Sequence, residues 1–146
     1  MADNSQVKDA SLANVTVQAK DNTSVFLPAA VLADQGGAYG ASMFFNSALS
    51  TTVQSVKSSA GRLYGWYIYN PNGSVEYVQI FNVASGSVTL GSTTPTLSLG
   101  IAPNMSGSAR DIFPGLFATA ISCAATTTPT GNTAPGTGLV VNLFYV

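Results

Sequence analysis

From residue 50 onward the chain is a succession of short runs rich in Val, Thr, Ile and aromatic residues, each cut off by a Gly- or Pro-containing turn. That rhythm constrains the fold more than any other feature. β-branched and aromatic side chains suit a pleated, half-buried surface, and Gly and Pro punctuate it. No stretch holds a 3.6-residue apolar period over three turns, so little helix is expected. Many short strands at even spacing predict an all-β fold of two packed antiparallel sheets.

The strands expected are Ser42–Phe45, Thr51–Lys57, Arg62–Asn70, Ser74–Val83, Ser87–Leu90, Thr96–Ile101, Asp111–Phe113, Leu116–Ala125 and Leu139–Val146. Asn70-Pro71-Asn72-Gly73 reads as a tight turn joining Arg62–Asn70 and Ser74–Val83 as a hairpin. Turns are also expected at Ser85-Gly86, Gly91–Pro95, Pro103–Gly107 and Pro114-Gly115, and residues 126–138 read as the longest loop. Residues 1–22 read as an N-terminal arm with a short strand at Val15–Val17, and residues 23–146 as one sandwich domain. Between 28 and 49 the sequence is mostly loop, because Gly36, Gly37 and Gly40 cut short the helical tendency of Ala30–Ala33.

Charge is scarce: 8% of residues, against about 25% in an ordinary soluble domain. Beyond Glu76 the charged residues are the adjacent Arg110 and Asp111. A free monomer normally carries surface charge, so a neutral Ser/Thr/Ala surface predicts a subunit packed against other subunits. In Leu139–Val146 both faces are apolar, which predicts a central strand or one covered by a neighbour. Trp66, Tyr67, Arg110, Asp111 and Phe144 are the candidate subunit-interface residues, with Arg110-Asp111 either a solvated pair or an inter-subunit salt bridge.

Catalytic readings find little support. The 146 residues include no His and a single Cys, Cys123. That removes the commonest general base and metal ligand, the Ser-His and Cys-His schemes and an intrachain disulfide framework. Asp34, Glu76 and Asp111 share no local motif, and no metal or cofactor site is expected. A net charge of −1 argues against phosphate neutralisation on nucleic acid. No run reaches the roughly 18 apolar residues of a membrane helix, and the polar MADNSQVKDA start does not resemble a Sec signal peptide. Four Asn-x-Ser/Thr sequons, at Asn14, Asn22, Asn72 and Asn104, are expected by chance in so Asn- and Ser-rich a chain. Cys123 reads as a small buried hydrophobe. The aromatics Tyr64, Trp66, Tyr67, Tyr69, Tyr77 and Phe81 read mainly as core, and otherwise as a platform for sugars or a protein partner.

One resemblance adds to this. SVKSSAGRLYGWYIYNPNGSVEYVQIFN (55–82), VTLGSTTPTLSLGIAP (88–103), FPGLFATAISCAATTTPTGNT (113–133) and GLVVNLFYV (138–146) resemble an ordered series of short motifs in phage and prophage structural proteins. Some members are capsid cement, or decoration, proteins. The resemblance implies a jelly-roll β-sandwich without catalytic residues or cofactor. It also implies a homo-oligomer, a trimer first, that binds the major capsid protein on the outer surface of the virion after synthesis in the bacterial cytoplasm. Nucleic acid and membrane are not among the partners implied. A tail or fibre component with the same fold is the first alternative. A glycan-binding module using Tyr64, Trp66 or Tyr67 is the second. Phe113-Pro114-Gly115-Leu116 departs from the family's longer polar turn.

Overall fold

The computed structural model describes the backbone of residues 14–18, 24–28 and 41–146, and the side chains of 41–109 and 116–146. The chain divides into two units, 1–40 and 41–146. In the first, β1 (Asn14–Gln18) and β2 (Ser24–Pro28) pair antiparallel, Asn14 opposite Pro28 and Gln18 opposite Ser24. The expected strand at Val15–Val17 is thus one arm of a hairpin. The remaining expectations for residues 1–40, including the tendency at Ala30–Ala33, lie outside the described residues.

The second unit is a two-sheet antiparallel sandwich of eight strands: β3 (Ser42–Leu49), β4 (Gln54–Lys57), β5 (Gly61–Tyr69), β6 (Glu76–Phe81), β7 (Leu97–Ile101), β8 (Ser106–Phe117), β9 (Ile121–Thr126) and β10 (Leu139–Tyr145). One sheet has the order β3-β10-β5-β8 and the other β4-β9-β6-β7. The pairs β3·β10, β4·β9, β5·β8 and β6·β7 are nested about the β6–β7 connection, like one long two-ply ribbon. That ribbon is rolled so that β5 also pairs with β10 and β6 with β9. This is the jelly-roll arrangement.

The core lies between the sheets. Leu139, Val141 and Leu143 of β10, with Leu63 and Ile68 of β5, face Val78 and Ile80 of β6 and Ile121, Cys123 and Ala125 of β9. The period of two puts alternate residues of each strand inside. β10 is a central strand, which accounts for one of its apolar faces. Where it begins, Gly138 lies so close to Ala48 that a Cβ would come within 2.5 Å of the Ala48 carbonyl carbon.

Four local expectations are corrected. Arg62–Asn70 and Ser74–Val83 do not form a hairpin: both edges of β5 are taken by β10 and β8, and β6 belongs to the other sheet. The Asn70–Gly73 turn is therefore a corner between sheets. Leu116–Ala125 is not one strand. β8 ends at Phe117, the chain crosses over, and β9 starts at Ile121, with the Thr119 N–H donating to Asn82 Oδ1 at 2.8 Å. Ser87–Leu90 is not a strand either. Ser85–Ser87 makes a 3-10 turn, and the Thr89 N–H donates to Thr93 Oγ1 at 2.9 Å, local bonding of the kind that competes with a ladder. Finally, Pro114-Gly115 does not end a strand, because β8 runs through it. β8 is an edge strand, where a missing N–H is tolerated.

Candidate interaction surface

The outer sides of the two sheets differ. On the β4-β9-β6-β7 sheet, the outward residues Gln79 and Phe81 of β6 and Ser122, Ala124 and Thr126 of β9 are buried under the chain's own loops, whereas Ser55 of β4 and Gly100 of β7 are exposed. Gln79 Nε2 donates to Thr126 Oγ1 (2.8 Å) and to the carbonyls of Gly131 (3.0 Å) and Thr128 (3.2 Å). Ser122 Oγ donates to the Val83 carbonyl at 2.7 Å. The Thr/Pro/Gly-rich loop after β9 and the segment after β6 thus cover the two central strands of this side.

The outer side of the β3-β10-β5-β8 sheet carries no such cover among the described residues. Its registers build three rows. Phe45 lies opposite Asn142, Asn142 opposite Tyr67, and Tyr67 opposite Ser108. One step along, Met43 lies opposite Phe144 and Phe144 opposite Gly65. One step the other way, Val140 lies opposite Tyr69 and Tyr69 opposite Ser106. Met43 is 61% exposed, Phe45 58%, Tyr67 42%, and Tyr69 and Phe144 37% each. The row residues with described side chains are uncharged, while the row through Phe144 and Gly65 ends on Arg110. Arg62, exposed near the start of β5, is bonded through its backbone to Val146 in both directions.

Five large apolar side chains therefore form a neighbouring group on three strands. Cross-strand neighbours lie about 5 Å apart and diagonal ones about 7–8 Å, so the group is continuous. Such patches mark contact with another molecule more often than isolated exposed residues do. Tyr and Phe also supply large, stiff contact area, the property enriched at protein interfaces.

The predicted interface residues divide. Tyr67 and Phe144 lie on this face as diagonal neighbours. Trp66 points the other way, packs against the core and lines an internal pocket. Arg110 lies opposite Gly65; its side chain and that of Asp111 lie outside the described residues. Met43 and Phe45 are not among the residues the sequence singles out, and Tyr69 stands there only among the core-or-platform aromatics. The alternation Met43-Phe44-Phe45 signals one outward and one inward set, but which set faces out depends on the pairing with β10. The aromatics assigned to one hairpin are likewise split, with Tyr77 and Phe81 on the other sheet.

Among the described residues no three of His, Cys, Asp and Glu come together as a metal-ligand set. Cys123 is fully buried facing the core, and burial pushes its thiol pKa up to about 12. Compared with known proteins, the chain matches no family model, no curated protein and no solved structure.

Proposed function

We propose that this chain is a structural, non-catalytic subunit of a phage virion, a capsid cement protein that stabilises the head lattice from outside. The observation that carries an assembly role is the group of Met43, Phe45, Tyr67, Tyr69 and Phe144, left uncovered among the described residues, on a sandwich whose opposite face has its central strands covered by the chain's own loops. The motif series in residues 55–146 supplies the virion setting. A jelly roll is an architecture that capsid and lectin domains share, so fold alone does not choose between them.

The areas support association. At roughly 200 Å² per side chain of this size, the exposures leave on the order of 450 Å² on five residues. A stable interface needs about 800 Å² per partner, and the surrounding Asn142, Val140, Ser106 and Ser108 extend the patch toward that value. In this reading the face packs subunit on subunit in a homo-oligomer. Contact with a different patch of the next copy closes a ring, the smallest being a trimer. The oligomer spans seams between capsomers, and its buried area opposes their separation.

The test is copy number in purified virions, by quantitative mass spectrometry against the major capsid protein. A count near that of the capsid protein supports cement. A few copies per particle moves the chain to the tail or a fibre, and absence from the particle overturns a virion role. Adding the protein back to stripped capsids should raise their resistance to heat. Unchanged capsids would overturn the cement function.

A further inference from the structure

A pocket of about 440 Å³ opens between the two sheets, at the side where β5 and β8 face β7. Packed interiors rarely hold voids larger than a water molecule, so this volume has a structural origin. β8 advances five residues, from Arg110 to Gly115, while β5 advances two, from Gly65 to Leu63. β5 itself carries an extra residue, Tyr64, against β10. The ladder is broken at the same place on both sides of β5, and the sheets part there.

The floor is Leu63 and Phe117, both deeply buried. The walls include Tyr64, Trp66, Leu99 and Ala109, and the rim Leu97 and Leu116, the latter 65% exposed. The indole of Trp66 is held from the side by Gly107, where a Cβ would approach its Cζ3 to 3.1 Å. None of these residues is charged. Two hydroxyls lie in the lining, that of Tyr64 and that of Thr96, whose Oγ1 accepts the Asn82 N–H at 3.1 Å and keeps its own O–H to donate.

We infer that this pocket binds one small, uncharged, predominantly apolar molecule, an aromatic or aliphatic body with at most one polar group. Its volume falls in the range of small-molecule sites, about 300–1,000 Å³. A peptide occupant is disfavoured by its own backbone: each residue brings an N–H and a C=O, and an apolar lining leaves them unpaired at a cost. A charged occupant meets no opposite charge on the described walls. This inference does not depend on the virion role, since a cement protein, a fibre component or a lectin could carry the site.

The test uses the neutral dye N-phenyl-1-naphthylamine and the whole chain. Trp66 is the single tryptophan, so energy transfer from it reports dye bound nearby. Expected is saturable transfer at one dye per chain. Ala109→Phe, which places a ring in the cavity, should weaken it about tenfold or more. Leu97→Asp, a rim change that leaves the floor intact, should do the same and serves if Ala109→Phe does not fold. Phe45→Ser, on the outer face, should leave the transfer unchanged. No saturable transfer overturns the inference. So does transfer that is lost in Phe45→Ser and kept in both folded pocket variants, which would place the dye on the outer face.

Discussion

The side-chain amide of Asn70, at the end of β5 in one sheet, donates to the carbonyl of Ile101, at the end of β7 in the other, at 3.1 Å. The same nitrogen donates to the carbonyls of Ser74 (2.7 Å) and Ala102 (3.2 Å). Asn70 Oδ1 accepts from the Asn72 N–H at 2.9 Å. One fully buried amide thus pins the corner where the chain leaves one sheet for the other. Asn70→Ala strands these groups, and an unsatisfied buried polar group costs about 1–3 kcal/mol. The expected loss is about 3 kcal/mol in urea unfolding. Asn70→Asp, which swaps the donor for an acceptor facing three carbonyls, should lose more. A loss below about 1 kcal/mol, the scale of an ordinary surface change, would remove Asn70 from this role.

The outer face gives a prediction that separates association from folding. Phe45 and Tyr67 are both partly exposed and lie two strands apart, on either side of Asn142. Replacing each with Ser removes contact area without opening a core cavity. In the proposed homo-oligomer the parent chain should sediment as an oligomer and the double variant as a monomer. Its unfolding midpoint should stop rising with protein concentration, as mass action requires when assembly no longer supports the fold. An oligomer that persists unchanged in the double variant would place the interface elsewhere.

Much of the sandwich was legible in the sequence, for a local reason. Arg62–Asn70, Thr96–Ile101 and Leu139–Val146 carry strand propensity and alternation within themselves, and β5, β7 and β10 fall on them within a residue or two. Pairing was not local. Asn70-Pro71-Asn72-Gly73 has the composition of a hairpin turn, and the sequence does not announce that β5 has both edges occupied by strands more than 35 residues away. The candidate face suffered in the same way. Tyr67 and Phe144 were found as aromatic strand residues, whereas Met43 and Phe45 join them only once β3 lies against β10. Trp66 was misplaced because a one-residue step along a strand turns a side chain to the opposite face.

Gln79 is the next point of leverage. Its amide bonds Thr126 and two carbonyls of the loop after β9, which places an otherwise structureless segment over a sheet. Thr127 adds one backbone bond, its N–H donating to the Thr133 carbonyl at 3.0 Å. Gln79→Leu keeps the apolar volume and removes all three donations. The loop should then open locally without global unfolding. Hydrogen exchange at the Thr127 amide is expected to accelerate about tenfold or more, while amides of β10 change little. Equal acceleration throughout would mean that Gln79 supports the whole fold and not the loop.

Cys123 predicts how the fold responds to alkali. The thiol is fully buried against Ile80 and its neighbours in the core, and burial raises its pKa from 9.0 to about 12. Below pH 9 the thiol is protonated in both folded and unfolded chains and contributes no pH dependence. Above 9 the unfolded chain releases the proton and the folded one holds it, so the unfolded state gains. Stability should fall by about 1.4 kcal/mol per pH unit from this group across that window, levelling as the folded thiol itself ionises near 12. Cys123→Ala should flatten the slope between pH 9 and 11 in urea titrations, whatever it costs at neutral pH through the lost sulfur. At pH 8 the native thiol should resist a disulfide reagent and react fully once the chain is unfolded. Rapid native reaction would show an accessible thiolate, and the alkaline slope would then have to come from another group.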